Sequence, residues 1–290
     1  MTSGAQAPTG LARRGRRLSD RETERRMLQT AVAMVHREGL TVSLDHISLE
    51  EVIRDADVSR SAVYRRWPYK DLFFSDLVME LARCATLEIV DDELALIRRI
   101  VAERLDWLDT PGLRHSLVIE LIRQVAQFDF EALYGSARWR TYLALHATFL
   151  SLADGQLRDQ IGEALARSER DHRARVARSW ELLAGLFGYR LRPEFGATFE
   201  TVAALLDAAM RGLVLQALSE PELARRREKV SPFGATAEDE WSLAALGAAG
   251  IALTFLEPDP AIEWDQERLA RVRQSLTSLA FPDFTRPALP

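Results

Sequence analysis

The sequence has few of the residues that build covalent, metal or redox chemistry. It contains a single cysteine, Cys84, which excludes an internal disulfide framework and suits a reducing compartment. The thiol reads either as a redox sensor or as a buried small side chain. Five histidines (His36, His46, His115, His146 and His172) stand far apart, and none sits in an H-E-x-x-H or C-x-x-C arrangement. No G-x-S-x-G elbow, phosphate-binding loop or dinucleotide fingerprint occurs either. The chain is therefore not read as an enzyme, and no cofactor or metal is expected. Long apolar runs are also missing. The longest stretch without charge, residues 241–256, is 16 residues with two glycines inside it. That is short of the ~20 residues that span a bilayer. Residues 1–17 are basic but lack the apolar segment of a secretory signal. The expectation is a cytoplasmic protein with no membrane partner.

What is present is a basic head on an acidic body. The net charge is −5, yet residues 1–75 carry 13 Lys and Arg against 10 Asp and Glu, while the remainder carries 25 against 33. Within the first 37 residues the count is 8 basic against 3 acidic. Such asymmetry suits a polyanion-binding end attached to a body that resists non-specific adhesion. A hydrophobic fraction of 47% is enough for an extensive core, and 290 residues allow two units.

Periodicity points to helices nearly throughout. Leu28, Ala31, Val32 and Val35 fall at i, i+3, i+4, i+7, and Leu49, Val52, Ile53 and Ala56 repeat the pattern. Leu117, Leu121 and Val125 continue it, as do Val176, Trp180 and Leu183. The fold class expected is all-α, with roughly ten or eleven helices. The division expected is a flexible basic arm over residues 1–18, a three-helix helix-turn-helix domain over 19–78, and a larger helical-bundle domain over 79–290.

The most informative stretch is residues 48–73, SLEEVIRDADVSRSAVYRRWPYKDLF. Ser48 followed by Glu51 reads as a capping box, and Asp57 as a turn residue that tolerates the left-handed conformation. Ser59 can cap a second short helix, with Val58 and Val63 as its hydrophobic staple, and Pro68 closes it. On that helix Val63 and Trp67 share one face and should pack inward. Arg60, Ser61, Tyr64 and Arg65 lie elsewhere, and these residue types bind phosphates and base edges. A short crossed helix of this kind fits the major groove of B-DNA.

Here the sequence resembles the TetR family of regulators. The features that carry the resemblance are Ala56-Asp57-Val58-Ser59, Val63-Tyr64, the aromatic Trp67 and Lys70 at the start of the next helix. It covers residues 21–80. The resemblance implies that Tyr64 and Lys70 contact phosphates, and that Arg60, Ser61, Ala62 and Arg65 lie nearest the bases. Ser48 and Ser59, as helix caps, complete the expected DNA-binding set. The chain departs from the family pattern at Asp57, where glycine is usual, at Trp67, where phenylalanine is usual, and at Tyr69, where a small polar residue is usual. The stretch 39–48 is about four residues longer than expected, and the cluster Arg13, Arg14, Arg16 and Arg17 could reach a minor groove.

The resemblance further implies a ligand-responsive regulator, more often a repressor, acting as a homodimer on a palindromic double-stranded operator. The partners expected are that DNA, a second copy of the chain and a small hydrophobic or aromatic effector. Trp107, Phe128, Trp139, Tyr142, His146, Phe149 and Trp180 are candidates to line an apolar effector cavity. Small residues at i, i+4, i+8 mark two late helices as candidates for the dimer interface. One ladder is Ala204, Ala208 and Gly212, and the other is Ala244, Ala248 and Ala252. Both ladders could instead pack within one chain. The competing functions are a helical binding module without DNA affinity, which a buried Tyr64 or Arg65 would favour, and an enzyme with a DNA-binding head.

Overall fold

The computed structural model describes residues 19–38, 47–83 and 90–278. The basic arm with its four arginines, the segment 39–46 with His46, and Cys84 lie outside the described residues. Twelve α-helices occur among the described residues, with two short two-stranded ribbons, so the class is all-α. The chain divides into two compact units. One comprises Met1–Leu81 with Ala144–Ile161, and the other Ala82–Leu143 with Gly162–Pro290.

In the first unit, α1 (Asp20–Glu38) begins with acidic and ends with basic side chains, matching the sign of the helix dipole at each end. Its Met27, Ala31, Met34 and Val35 are buried. It packs on α2 (Leu49–Asp55) and α3 (Arg60–Arg66). Ser48 caps α2 by accepting from the Glu51 amide at 3.4 Å. Only that half of the expected capping box forms. Asp57 takes φ 51°, the left-handed turn its side chain tolerates. Ser59 caps α3, accepting from the Ala62 amide at 3.3 Å. Trp67, fully buried, meets Phe73 of α4 (Lys70–Arg83) edge-on at 5.2 Å between centroids. Its indole Nε1 donates to Asp76 at 2.8 Å, so the plug buries no unpaired polar group.

The second unit is built around α6 (Pro111–Gly135), α9 (Phe199–Ser219) and α11 (Leu243–Phe255), which pack on one another. Thr110 caps α6, with Pro111 at its first position, where no amide hydrogen is needed. Thr198 and Thr201 cap α9 reciprocally, and Ser242 caps α11. Helix α11 falls within the uncharged stretch 241–256, and the reason for the missing charge is burial on several sides. The second unit also holds α5 (Val90–Ala102), the start of α7 (Ala137–Ser151) as far as Leu143, α8 (Gln156–Leu186) from Gly162 onward, the short α10 (Pro221–Arg225) and α12 (Gln266–Ser278). The rest of α7 and α8 belongs to the first unit.

The ribbons were not anticipated. β1 (Tyr189–Leu191) pairs antiparallel with β4 (Leu256–Pro258), and β2 (Arg227–Val230) with β3 (Asp239–Ser242). Strands of three or four residues are too short for alternation to register, and β1 and β4 lie far apart in sequence. Arg190 and Glu257 face each other across the first ribbon and pair at 2.9 Å. Gly188, which leads into β1, has φ 72° and lies where a Cβ would come 3.1 Å from Trp264, so both backbone and space call for glycine.

Candidate functional site: a helix-turn-helix face and an apolar cavity

Helix α3 separates two kinds of side chain. Val63 and Trp67 are fully buried, while Arg60, Ser61, Tyr64 and Arg65 are exposed, Tyr64 at 44%. Ala62 is half-buried beside them, and Ser59 and Lys70 are exposed at the starts of α3 and α4. Ser48 is half-buried at the start of α2. The eight residues singled out in the sequence therefore belong to three consecutive helix starts and one exposed face. Neither Tyr64 nor Arg65 is buried, the arrangement that would have favoured a module without DNA affinity.

The exposed groups are paired with carboxylates. Tyr64 donates to Glu50 at 2.8 Å, and Arg60 pairs with the same carboxylate at 2.8 Å. The hydrogen bond to Glu50, then its charge, raises the Tyr64 phenol above its ordinary range. Arg65 pairs with Asp20 of α1, and Arg66 with Glu24 and Asp76 at 3.2 and 3.3 Å. The Lys70 ammonium stands 4.9 Å from the centroid of the Phe74 ring. Sequence spacing missed Glu50 and Asp20 because both reach α3 from other helices.

A cavity of about 270 Å³ lies in the second unit, walled by α5, α6, α8, α9 and α11. Its lining is mainly aliphatic, including Ile97, Val118, Leu121, Ile122, Leu183 and Met210. Of the seven aromatic and histidine candidates only Trp180 lines it. Trp139 and Tyr142 stack on each other at 4.8 Å in a separate cluster, and Trp107 lies under the Arg104 guanidinium. Phe149 stands beside Arg158, in the first unit. Phe128 and His146 are half-buried and do not line the cavity either. Their placement away from this cavity has a plain cause: composition marks which helices are apolar but not which face a given aromatic occupies.

Polar groups gather at one side of the cavity. Asp207 holds His172 at 3.2 Å and Arg211 at 3.4 Å, and Arg211 also binds Glu169 at 2.7 Å and the Tyr142 hydroxyl oxygen at 2.6 Å. Burial alone would raise the Asp207 carboxyl, but the His172 hydrogen bond and the nearby cations hold it below its ordinary value. Glu93 and Asp129 are different. Among the described residues neither makes a hydrogen bond or ion pair. Burial pushes Glu93 upward against the opposing pull of the His172 charge, and pushes Asp129 well above the carboxylate range, with Glu93 and Asp207 adding to the effect. Arg175 also lines the cavity, and its Nη2 is buried without a partner. Among the described residues no group of three His, Cys, Asp or Glu is arranged to hold a metal ion.

The two ladders of small residues have different surroundings. Ala244, Ala248 and Ala252 are buried inside the chain, where α11 meets α6 and α9, and the first two line the cavity. They are thus not available to a second copy, because the small side chains serve close approach within the chain itself. Ala208 is exposed, while Ala204 and Gly212 are half-buried. On the same side of α9, Leu205 and Leu215 are 42% and 53% exposed. This helix of 21 residues is long and apolar enough to cross a membrane by length and composition alone, with a mean hydropathy of 1.4. Asp207 and Arg211, tied into the ion network, show instead a helix with one polar, inward face.

No family model matches the chain, and no curated protein matches it. A solved structure described as a SmeT–triclosan complex aligns at 20% identity, covering 84% of this chain and 98% of that one, with a TM-score of 0.39. A likeness at that level carries no argument about function.

Proposed function

We propose that the chain is a ligand-responsive, DNA-binding transcriptional regulator that works as a homodimer. The observation that carries this reading is α3. It is a short helix entered through a left-handed Asp57, capped by Ser59 and anchored by Val63 and Trp67, with Arg60, Ser61, Tyr64 and Arg65 exposed. That is the geometry of a recognition helix, and the sequence resemblance to the TetR family supports it. Tyr64 and Lys70 take phosphates, and Arg60 and Arg65 read base edges. Residues 19–78 form the DNA-binding part and 79–290 the regulatory part.

The dimer face is the outer side of α9. Leu205, Ala208, Gly212 and Leu215 recur at alternating steps of four and three, the spacing of a seam between paired helices. A second copy of the same helix covers that seam, and two recognition helices about 34 Å apart then read a palindrome. The cavity supplies the switch. A ligand that prefers the conformer unable to span both half-sites releases DNA, in proportion to that preference.

The test is an anisotropy titration of the full chain against DNA chosen from random sequence, at two salt concentrations, with sedimentation reporting the dimer. Lys70→Ala should weaken binding to all sequences and reduce the salt slope by about one. Arg60→Ala and Arg65→Ala should relax preference at particular base pairs. Equal behaviour of the three variants would overturn the division into phosphate and base contacts. Failure to select any sequence would overturn the regulator reading.

A further inference from the structure

The cavity's two unpaired acids say what kind of ligand it takes. A carboxyl group inside an apolar cavity loses its hydration, and the loss is offset only by a hydrogen bond or an opposite charge. The group around Asp207 already obeys that rule. Asp207 is held by His172 and Arg211, and Arg211 is shared with Glu169. On α5 and α6 the rule is left unfulfilled. Glu93 and Asp129 line the cavity and make no hydrogen bond or ion pair among the described residues. The Glu93 charge reaches Asp129, and Glu93 itself feels the charge of His172, which is already held by Asp207. Arg175 faces the same cavity from α8 and forms an ion pair with neither of them.

We propose that Glu93 and Asp129 are the polar anchor of this cavity, and that its ligand is an amphipathic molecule carrying one protonated amine on an apolar body. The proposal rests on the reading of the cavity as the effector site and deepens it by naming the ligand's charge. The aliphatic walls accept the apolar body, which gains by leaving water. The ammonium supplies the donors that the two carboxyls lack and a positive charge in direct contact with them, and charge-assisted hydrogen bonds of this type exceed neutral ones. Burial holds protons on these acids, so the arriving cation displaces one to the solvent. The ammonium keeps its own proton, and the carboxyl's proton passes to buffer.

The experiment compares diphenylpropylamine, diphenylpropanol and diphenylpropanoic acid, which share one apolar body and are cationic, neutral and anionic near pH 7. Binding to the full chain is measured by calorimetry in two buffers of different ionisation enthalpy. The amine should bind about tenfold or more tightly than the alcohol. Its heat should depend on the buffer in the sense of a released proton. Asp129→Asn and, independently, Glu93→Gln should bring amine affinity down towards that of the alcohol and diminish the proton release. Tighter binding of the carboxylate would overturn the proposal and make Arg175 the anchor. Equal binding of amine and alcohol would also overturn it, while leaving the cavity as a ligand site. Binding by none of the three would overturn both readings.

Discussion

The exposed face of α3 and the inner wall of the cavity use the same residue types under opposite conditions. On α3, arginines and a tyrosine sit in water and rest against Glu50 and Asp20. Exposed pairs of this kind add little to stability and are screened by salt, so a polyanion can displace the carboxylates. In the cavity, Glu93 and Asp129 are partly withdrawn from water and make no hydrogen bond or ion pair among the described residues, so the same chemistry is costly until a ligand completes it. Position relative to water, and not residue type, decides whether a charge acts as a replaceable surface contact or as an unmet demand.

This contrast can be broken or sharpened by substitution. The largest effect should come from the plug beneath α3. Trp67→Ala should cost about 3–5 kcal/mol in denaturant unfolding, since a fully buried indole leaves a cavity behind. A loss under about 1 kcal/mol would mean that α3 is positioned by its caps alone.

Next is the interior acid. The folded chain holds the Asp129 proton to higher pH than the unfolded chain does. Its contribution is therefore fully present below the ordinary carboxylate range and is lost as pH rises through the folded-state value. Unfolding free energy measured across that range should fall with a slope approaching about 1.4 kcal/mol per pH unit for one proton, and Asp129→Asn should flatten it. An unchanged slope would show that Asp129 has a partner in solution. A smaller effect is expected at the surface cap. Ser59→Ala should cost about 1 kcal/mol in the same unfolding assay and leave the cavity's ligand affinity unaltered. The smallest is Glu50→Gln, which should free Arg60 and Tyr64 and tighten DNA binding a few-fold at low salt, with the gain fading as salt rises. A weaker complex would make Glu50 a contributor to recognition and not a competitor.

How much was legible in the sequence follows from the range of the forces involved. The turn at Asp57, the cap at Ser59, the inward Val63 and Trp67 and the outward Arg60 and Tyr64 are all visible in one short segment. They depend on φ preference, local hydrogen bonds and a 3.6-residue period, which act over a few residues. The helical class was readable for the same reason. Helix α11 was readable only in part: its alanine ladder marked close packing against another helix, but that helix could have belonged to a second copy as well as to this chain.

The amino-acid sequence by itself determined the helices, their caps, the orientation of α3 and the charge asymmetry of the chain, because local preferences and periodicity fix those. Tertiary structure alone decided that Glu50 and Asp20 reach α3, that Trp180 lines the cavity while Trp139 does not, and that Glu93 and Asp129 line one cavity with no hydrogen bond or ion pair among the described residues. Each of those depends on which helix faces come together across tens of residues, and no local pattern records the angle at which two helices pack.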